Sequence, residues 1–353
     1  MGGNLKEIAR LSGVAASSVS RALSGKPGVS DEKRAEILAL ARRLAYRPNR
    51  EAQTLRTGRS SDLLILAQAT PTEIASYRNH ALIAFGNGEF ERVRVAVVGI
   101  RESVDPYLRR AAEEGVAAVI TSGITGTVSP ETVNRIVENG VALVLLDSTL
   151  SGLPADLYVD RVDIDRESGA YAAGRLLARA GGRTYLFCKE SGRRRDPKSI
   201  GVERAFADAG TPLPDTRFIS VVGDDFAEGY ATASELLEAS PVDRLFCHND
   251  KLAVGALKAL SDAGRRVPED VMVVGFDDLS FAPYLAIPLT TVAQPVVPCA
   301  EAAIELALSR RSEPDRESEH RHFRTTLVIR NTALESIPNG GDEHSETIRE
   351  EEK

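Results

Sequence analysis

Short apolar runs rich in β-branched residues alternate with helix-like segments along most of the chain after residue 61. In order, the runs are LLILA, RVAVVGI, AAVIT, ALVLLD, TYLFC, FISVV, RLFCHND and VMVVGFDD. Strands that alternate with amphipathic helices predict parallel sheets covered by helices on both faces. Because ligands in such sheets bind beyond the carboxyl ends of the strands, polar residues that follow the runs are the candidate binding residues.

Charge divides the chain at the same place. Residues 1–60 contain 12 Lys and Arg against 5 Asp and Glu, whereas the remaining residues contain 32 against 46. A basic module ahead of an acidic body is typical of a protein that offers one end to polyanions, although a solvated helix face would give the same excess. Charge alone does not decide between these two interpretations.

The basic segment has the pattern of a helix-turn-helix. The apolar stripe of its first helix consists of Leu5, Ile8, Ala9 and Leu11. Gly13 suits the tight turn that follows, and a second short helix is expected to bury Val19 and Ala22. Ser30 is placed to cap a third helix. Two helices joined by a tight turn and packed on a third predict a module whose second helix enters the major groove of DNA.

The segments LKEIARLSGVAASSVSRALSG, VSDEKRAEILALARRLAYRPN and AQTLRTGR resemble the DNA-binding headpiece of the LacI/GalR (lactose-repressor/galactose-repressor) family, almost without gaps. The resemblance implies that base edges are read by Ala16, Ser17 and Arg21. It implies that backbone phosphates are held by Ser18, Ser20 and Ser24. Arg21 is the side chain suited to a bidentate contact with guanine. Ala15 departs from the family, which has a capping serine at that position.

Residues 49–55 resemble the family's hinge, a segment that becomes helical on operator DNA. Asn49 is a suitable N-cap, and Ala52 and Leu55 share one face of the helix. The resemblance implies that Leu55 wedges between base pairs from the minor groove and kinks the duplex. The alternative is that Leu55 packs on the headpiece.

The segment from CHNDKLAVGALKALSDAG to FDDLSFAPYLAIPLTTVAQP is similar, nearly residue for residue, to the family's effector domain. The implied fold is an all-α helix-turn-helix headpiece plus an α/β effector domain with two lobes, like periplasmic binding proteins, built on two Rossmann-like parallel sheets. The predicted divisions are a headpiece at 1–48, a hinge and linker at 49–60, an effector-binding and dimerisation domain at 61–335 and a disordered acidic tail at 336–353. The chain is expected to cross between lobes near Asp160–Asp163, Thr290–Gln294 and Arg321–Thr325.

Candidate effector residues follow from the same resemblance. It implies that Asp147, Asn249 and Asp277 hydrogen-bond ligand hydroxyls and that Phe226 stacks on the ligand. Carboxylates and amides suit polyols because they accept or donate hydrogen bonds to neighbouring hydroxyls. Asp250, also at a strand end, is expected to be a structural helix cap.

Two departures leave the ligand class open. Lys198 stands where the family presents an arginine, and it offers a point charge instead of a planar fork. The nearby Arg193–Arg195 run suits an anionic effector, although exposed charge runs are usually only solvated. The loop AQATPTEIASY lacks the family's Asn-Pro-aromatic pattern, so Gln68 and Thr70 are the candidate contributions of the first lobe.

Other function classes are disfavoured. No phosphate-binding GxxxxGK[ST], HExxH or GxSxG motif is present, so no catalytic residue, cofactor or metal site is expected. Three widely spaced cysteines form no readable disulfide or metal pattern. The apolar runs are far shorter than the roughly 20 residues of a membrane span, and no secretory signal precedes the first helix, so a cytoplasmic protein is expected.

The sequence therefore predicts a transcriptional regulator. Its expected partners are pseudo-palindromic double-stranded operator DNA, a sugar or sugar derivative and further copies of the chain, in a homodimer or tetramer. The favoured mechanism is repression of carbohydrate genes that the effector relieves. A ligand that acts as co-repressor and a cytoplasmic solute-binding protein are the alternatives.

Overall fold

The structure is a computed structural model that describes residues 5–15, 18–19, 22, 29–43, 61–69, 72–189 and 196–334. The chain divides into two compact units, Met1–Ser61 and Asp62–Lys353. Within the described part of the chain, no helix is long and apolar enough to cross a lipid bilayer. Thr70, the Arg193–Arg195 run and the predicted tail lie outside the described residues. So do the candidate DNA-binding residues Ala16, Ser17, Ser20, Arg21, Ser24, Asn49, Ala52 and Leu55.

The first unit contains the helices α1 (Leu5–Ser12) and α2 (Asp31–Arg43). Gly13 has a φ of +67°, the left-handed conformation that ends α1. A small core is formed by Ile8, Val19, Ala22, Ile37 and Ala41. The expectation that Leu11 faces this core is wrong, because Leu11 is 39% exposed. Ser12, one turn after Ile8, takes the inward position and donates a hydrogen bond to the Ile8 carbonyl oxygen at 2.7 Å.

The second unit, or body, has two lobes, each built on one parallel sheet. The sheet of the first lobe has the strand order β13-β7-β5-β3-β1-β2 and is parallel throughout. Its strands are β1 (Asp62–Gln68), β2 (Arg92–Val98), β3 (Ala118–Ser122), β5 (Ala142–Leu146), β7 (Asp160–Asp165) and β13 (His320–Arg324). Two three-residue strands, β4 (Thr125–Thr127) and β6 (Thr149–Ser151), pair beside it.

Helices cover both faces of this sheet, as predicted. One face packs on α3 (Glu73–Glu89) and α10 (Val296–Ser312), and the other packs on α4 (Asp105–Glu113) and α5 (Pro130–Glu138). Strand β7, with the sequence DRVDID, alternates buried and half-buried residues, and its buried positions are Val162, Ile164 and Asp160, whose carboxylate pairs with Arg310 and Arg316. This alternation explains why the strand was not predicted from an apolar run.

The second lobe is built on a four-stranded parallel sheet in the order β11-β10-β8-β9. Its strands are β8 (Thr184–Lys189), β9 (Phe218–Val221), β10 (Arg244–Cys247) and β11 (Met272–Val274). Its helices are α6 (Arg166–Arg179), α7 (Pro197–Asp208), α8 (Phe226–Ala239) and α9 (Asp250–Asp262). Helices α6 and α7 pack on one face, and α8 and α9 pack on the other. The two-lobed fold with two parallel sheets agrees with the predicted fold class.

Three segments connect the lobes. One follows β7, one contains the first strand of a short antiparallel pair, and one follows β13 and contains the second strand of that pair. The chain leaves the first sheet after Asp165, two residues later than the expected Asp160–Asp163 crossing, because β7 pairs with β13 as far as Asp165 and Arg324. The antiparallel pair consists of β12 (Thr291–Ala293) and β14 (Thr326–Val328).

These connections meet at Gly169 in α6. The Thr325 hydroxyl accepts a hydrogen bond from the Gly169 amide at 3.0 Å and donates one to the Asp165 carbonyl oxygen at 2.8 Å. A Cβ at Gly169 would overlap both Thr325 and Val292. Glycine is therefore the residue that lets segments from all three connections pack together here.

Candidate functional site

The carboxyl ends of strands from both lobes face a pair of adjoining cavities in the body. The larger, about 530 Å³, lies between α3 of the first lobe and the loop at 277–280 of the second. The smaller, about 280 Å³, is strongly polar and is called the polar cavity below. Its polar lining comprises Thr72, Arg166, Lys189, Asp196, Lys198, Asp224, His248, Asn249, Asp277 and Gln294. The cavities share Ile74, Asp277 and Gln294, so together they form one cleft between the lobes.

The backbone is strained where two predicted ligand residues leave their strands. Asp147, directly after β5, has a φ of +49°, and Asp277 and Asp278, after β11, have φ values of +113° and +52°. Such conformations are costly for residues with a Cβ and persist where the surrounding structure holds them, often at functional sites. The strain thus marks both strand ends as constrained positions at the cleft.

The carboxylate of Asp147 pairs with two arginines. Its carboxylate accepts a bidentate pair of hydrogen bonds from Arg166, at 2.7 and 2.6 Å, and a third from Arg78 at 2.6 Å. Burial alone would raise the pKa of Asp147, but the hydrogen bonds and charges of these arginines lower it below its ordinary value. Arg166 lines the polar cavity, whereas Asp147 lies behind it. Arg166 therefore presents donors where the sequence predicted an acceptor.

Lys198 and Asp277 are brought together in the wall of the polar cavity. Lys198 is almost fully buried, and its Nζ donates to the His248 carbonyl oxygen at 2.8 Å and lies 3.5 Å from Asp277 Oδ1. The same ammonium lies 4.0 Å from the centre of the Phe276 ring. Burial lowers the pKa of Lys198. Gln294 donates to Asp277 at 2.6 Å, so the carboxylate is held from two sides.

Asp196 and His248 form a second polar pair in this wall, with Oδ2 and Nδ1 3.3 Å apart. Burial opposes ionisation of Asp196, but the hydrogen bond to His248 and the neighbouring charges lower its pKa to about 2. Burial and the charge of Lys198 lower the pKa of His248. Lys189 completes the wall with an ion pair to Asp224 at 2.9 Å.

Asn249, and not Asp250 as expected from the sequence, caps the helix that follows β10. Asn249 is the N-cap of α9: its Oδ1 accepts from the Leu252 amide at 2.8 Å, and its Nδ2 donates to the Asp224 carbonyl oxygen at 3.0 Å. Asp250 has a structural position, as expected, but not as the cap. Its carboxylate accepts from the Leu279 amide and the Thr291 hydroxyl, and burial raises its pKa to about 7.

Two other described effector candidates, Phe226 and Gln68, do not line the polar cavity. Phe226 begins α8, is 44% exposed and packs against Phe281 with ring centres 5.9 Å apart. Gln68 ends β1, and it is not part of the lining of either cavity. Ser18, the one described residue among the DNA-binding candidates, is helical and half-buried.

Arg78 and Arg166 were not among the site residues predicted from the sequence. Arg78 occupies the buried face of α3 together with Ala75 and Leu82, so an arginine within an apolar helical stripe was the available signal. Arg166 follows β7, and it would have been a strand-end candidate had that strand been predicted.

Comparison with known proteins identifies both units. The family model for bacterial regulatory proteins of the lacI family matches residues 4–49, and the model for a periplasmic binding protein-like domain matches residues 175–333. Together the two matches cover more than half of the chain. The chain belongs to the LacI/GalR family of transcriptional regulators.

LacI/GalR relatives match over almost their entire length. The probable HTH-type transcriptional repressor ExuR of Bacillus subtilis is 26% identical, and the match covers 93% of this chain and 97% of the relative. The ribose operon repressor of Haemophilus influenzae is also 26% identical, with 92% and 97% covered. Among solved structures, the lac repressor dimer bound to operator and an anti-inducer has a TM-score of 0.64 at 21% identity, over 95% of this chain and 100% of that one. This LacI/GalR protein therefore shares the family's fold from headpiece to body.

The Asp147 cluster gives the first prediction. Asp147→Asn removes the counter-charge of two largely buried arginines, so we expect the free energy of unfolding to fall by about 3 kcal/mol. Urea denaturation of the full-length protein measures the change. Asp262→Asn, which removes a carboxylate from an exposed pair with Lys258, should lower the free energy of unfolding much less, because solvent screens an exposed pair. Equal losses in the two variants would contradict the assigned importance of the cluster.

Asp250 gives a prediction of pH dependence. Its folded-state pKa, about 7, lies above the ordinary value of 3.8, so its protonated form stabilises the fold. That contribution is fully present below about pH 4 and is lost as the pH rises through about 7. Relative to Asp250→Asn, the wild type should lose a few kcal/mol of stability between about pH 5 and about pH 8. A difference between wild type and Asp250→Asn that stays constant over this range would disprove the assignment.

Proposed function

We propose that this protein is a sequence-specific repressor of carbohydrate or related carbon-source genes. In this proposal, the headpiece at 1–48 and the hinge at 49–60 bind a pseudo-palindromic operator, and the body at 61–335 dimerises and binds a sugar or sugar derivative. The observation that carries the proposal is the pairing of a lacI-type headpiece with a body whose strand ends enclose a cavity lined by charged hydrogen-bonding groups. Neither feature alone would indicate a regulator that senses a ligand.

The charges of the polar cavity favour a polyhydroxylated ligand. In the described lining, the cations Arg166, Lys189 and Lys198 are matched by the carboxylates Asp196, Asp224 and Asp277. Hydroxyl groups both donate and accept hydrogen bonds, so a polyol can bind cations and carboxylates at once. An anionic ligand would gain from the cations and be repelled by the carboxylates. We therefore expect a neutral sugar to bind more tightly than a sugar acid or sugar phosphate.

Two relatives named for sugars support this class of ligand. The ribose operon repressor is one, and a structure of a LacI-family regulator from Enterococcus faecium holds bound ribose. The polar cavity, at about 280 Å³, is close to the lower end of the range of small-molecule sites, about 300–1,000 Å³. This size is suited to a small ligand.

Ion pairs that join the lobes suggest how the ligand acts. Arg166 at the start of α6 pairs with Asp147 of the first lobe, and Lys251 of the second lobe pairs with Glu73 of the first at 3.0 Å. A ligand that binds both lobes favours one packing of these groups over another. In a dimer, that packing would set the spacing of the two hinges and so the fit of two headpieces to the operator.

Operator recognition is tested by Arg21→Ala. Losing a bidentate base contact should weaken binding to DNA from upstream of the protein's own gene by about 1–3 kcal/mol while leaving binding to random DNA nearly unchanged. Fluorescence anisotropy at fixed salt measures both affinities. The matched control is Arg10→Ala, which removes the same charge from an exposed position of α1 and should change neither affinity appreciably. Equal weakening on both DNAs would assign Arg21 to phosphate contact.

Ligand class and position are tested by thermal unfolding with sugars, sugar phosphates and sugar acids. A ligand at 100 times its Kd should add about 2.7 kcal/mol to the free energy of unfolding. Lys198→Met should abolish this gain, because it removes a cation of the polar cavity, whereas Lys258→Met, on an exposed face of α9, should keep it. A gain that survives in Lys198→Met would place the ligand elsewhere. Adding the ligand to the operator complex then shows whether it releases or recruits DNA.

A further inference from the structure

Two histidines on the edge strand of the first lobe project from the same face. His320 and His322 are two residues apart on β13, so their side chains lie on one side of the sheet. The register of β13 and β7 pairs His322 with Asp163. His320 Nε2 lies 2.7 Å from Asp163 Oδ2, and the two imidazole rings have centres 3.8 Å apart. The three side chains thus form a compact cluster on the outside of the sheet.

The packing of the sheet does not account for this cluster. The residues on the opposite face of β13 contact the rest of the lobe. Phe323 packs on the core beneath α10, and Arg321 pairs with Glu305 and Glu319. The two imidazoles, in contrast, are exposed, and Asp163 is half-buried. The cluster is also separate from the cleft, since none of its members lines either of the two cleft cavities.

One ligand atom from each of the three side chains lies within 4.8 Å of the other two. Two imidazole nitrogens and one carboxylate oxygen are ligands that Zn²⁺ and related divalent transition metals prefer, whereas Mg²⁺ and Ca²⁺ prefer oxygen alone. We propose that Asp163, His320 and His322 form a binding site for a divalent transition metal, best matched by Zn²⁺, with solvent completing the coordination. Neither the DNA-binding nor the effector-binding role requires this site.

Neighbouring charges set the expected strength of the site. Arg161 is the register partner of His320, and Arg324 is the register partner of Asp165, so two cations flank the cluster on its own face. Their charges oppose a bound cation, and Asp165 only partly offsets them. The site should therefore bind zinc more weakly than a structural site with four protein ligands.

The position of the site suggests what a bound metal would do. Strands β7 and β13 lead directly into two of the connections between the lobes, at Asp165 and Thr325. A metal ligated from both strands would tie them together just before these connections. Zinc would thereby stabilise the body from a site separate from the cleft.

The test is titration calorimetry of chelator-treated, tag-free full-length protein with Zn²⁺, together with the visible absorption spectrum of bound Co²⁺. The wild type should bind one Zn²⁺ per chain saturably, and Co²⁺ should give a spectrum with imidazole ligands. His322→Gln and His320→Gln should each weaken binding at least about 10- to 100-fold, since changes to outer-shell partners alone have effects of that size. Asp163→Asn should weaken it as well.

The matched control is His80→Gln, which removes an exposed histidine from α3 and should leave zinc binding unchanged. Circular dichroism of every variant confirms that it is folded, and the surface position of the cluster makes unfolding unexpected. The proposal is overturned if the wild type shows no saturable binding. It is equally overturned if both histidine variants bind zinc with the affinity of the wild type, because the metal would then be held elsewhere.

Discussion

Two arginines that share the carboxylate of Asp147 determine much of how the body is arranged. Arg78 lies on α3, the first helix of the first lobe. Arg166 is the first residue of α6, where the chain enters the second lobe. A nearly buried guanidinium such as that of Arg78 needs a counter-charge and acceptors, and Asp147 supplies them together with the Ser122 hydroxyl at 2.9 Å. The strained backbone at Asp147 is the local cost of aiming its carboxylate at both partners.

This cluster also determines which groups face the cleft. Because Asp147 of the first lobe is already bonded to arginines, the polar cavity is lined by the donors of Arg166 and not by a free acid at this position. The second lobe contributes pairs in which each cation already has an anionic neighbour, as Lys198 has Asp277. A ligand bound in this cavity would compete with these pairs, so discrimination among ligands would rest on matching a preformed pattern of donors and acceptors.

Apolar runs were sufficient to predict eight strands of the two sheets. Most of these strands are buried, as β1, β3 and β5 are, whereas the edge strand β2 is largely exposed or half-buried. The strands β7 and β13 were not predicted, because charged residues and histidines interrupt their apolar residues; both strands lie at one side of their sheet. The site was less predictable than the fold. A strand-end Asp or Asn looks the same in sequence whether it caps a helix, as Asn249 does, or holds a lysine, as Asp277 does. Partners such as Arg78 come from distant segments, and local patterns do not reveal those contacts.

The close packing at Gly169 limits how the two lobes can move. Val292 and Thr325, from separate connections, contact this residue, and the Thr325 hydroxyl bridges the Gly169 amide and the Asp165 carbonyl oxygen. Sliding one lobe across the other would break that bridge and open a void, whereas a small rotation about the glycine preserves it. We therefore expect any motion between the lobes to be a rotation about this joint, with displacements that grow with distance from it.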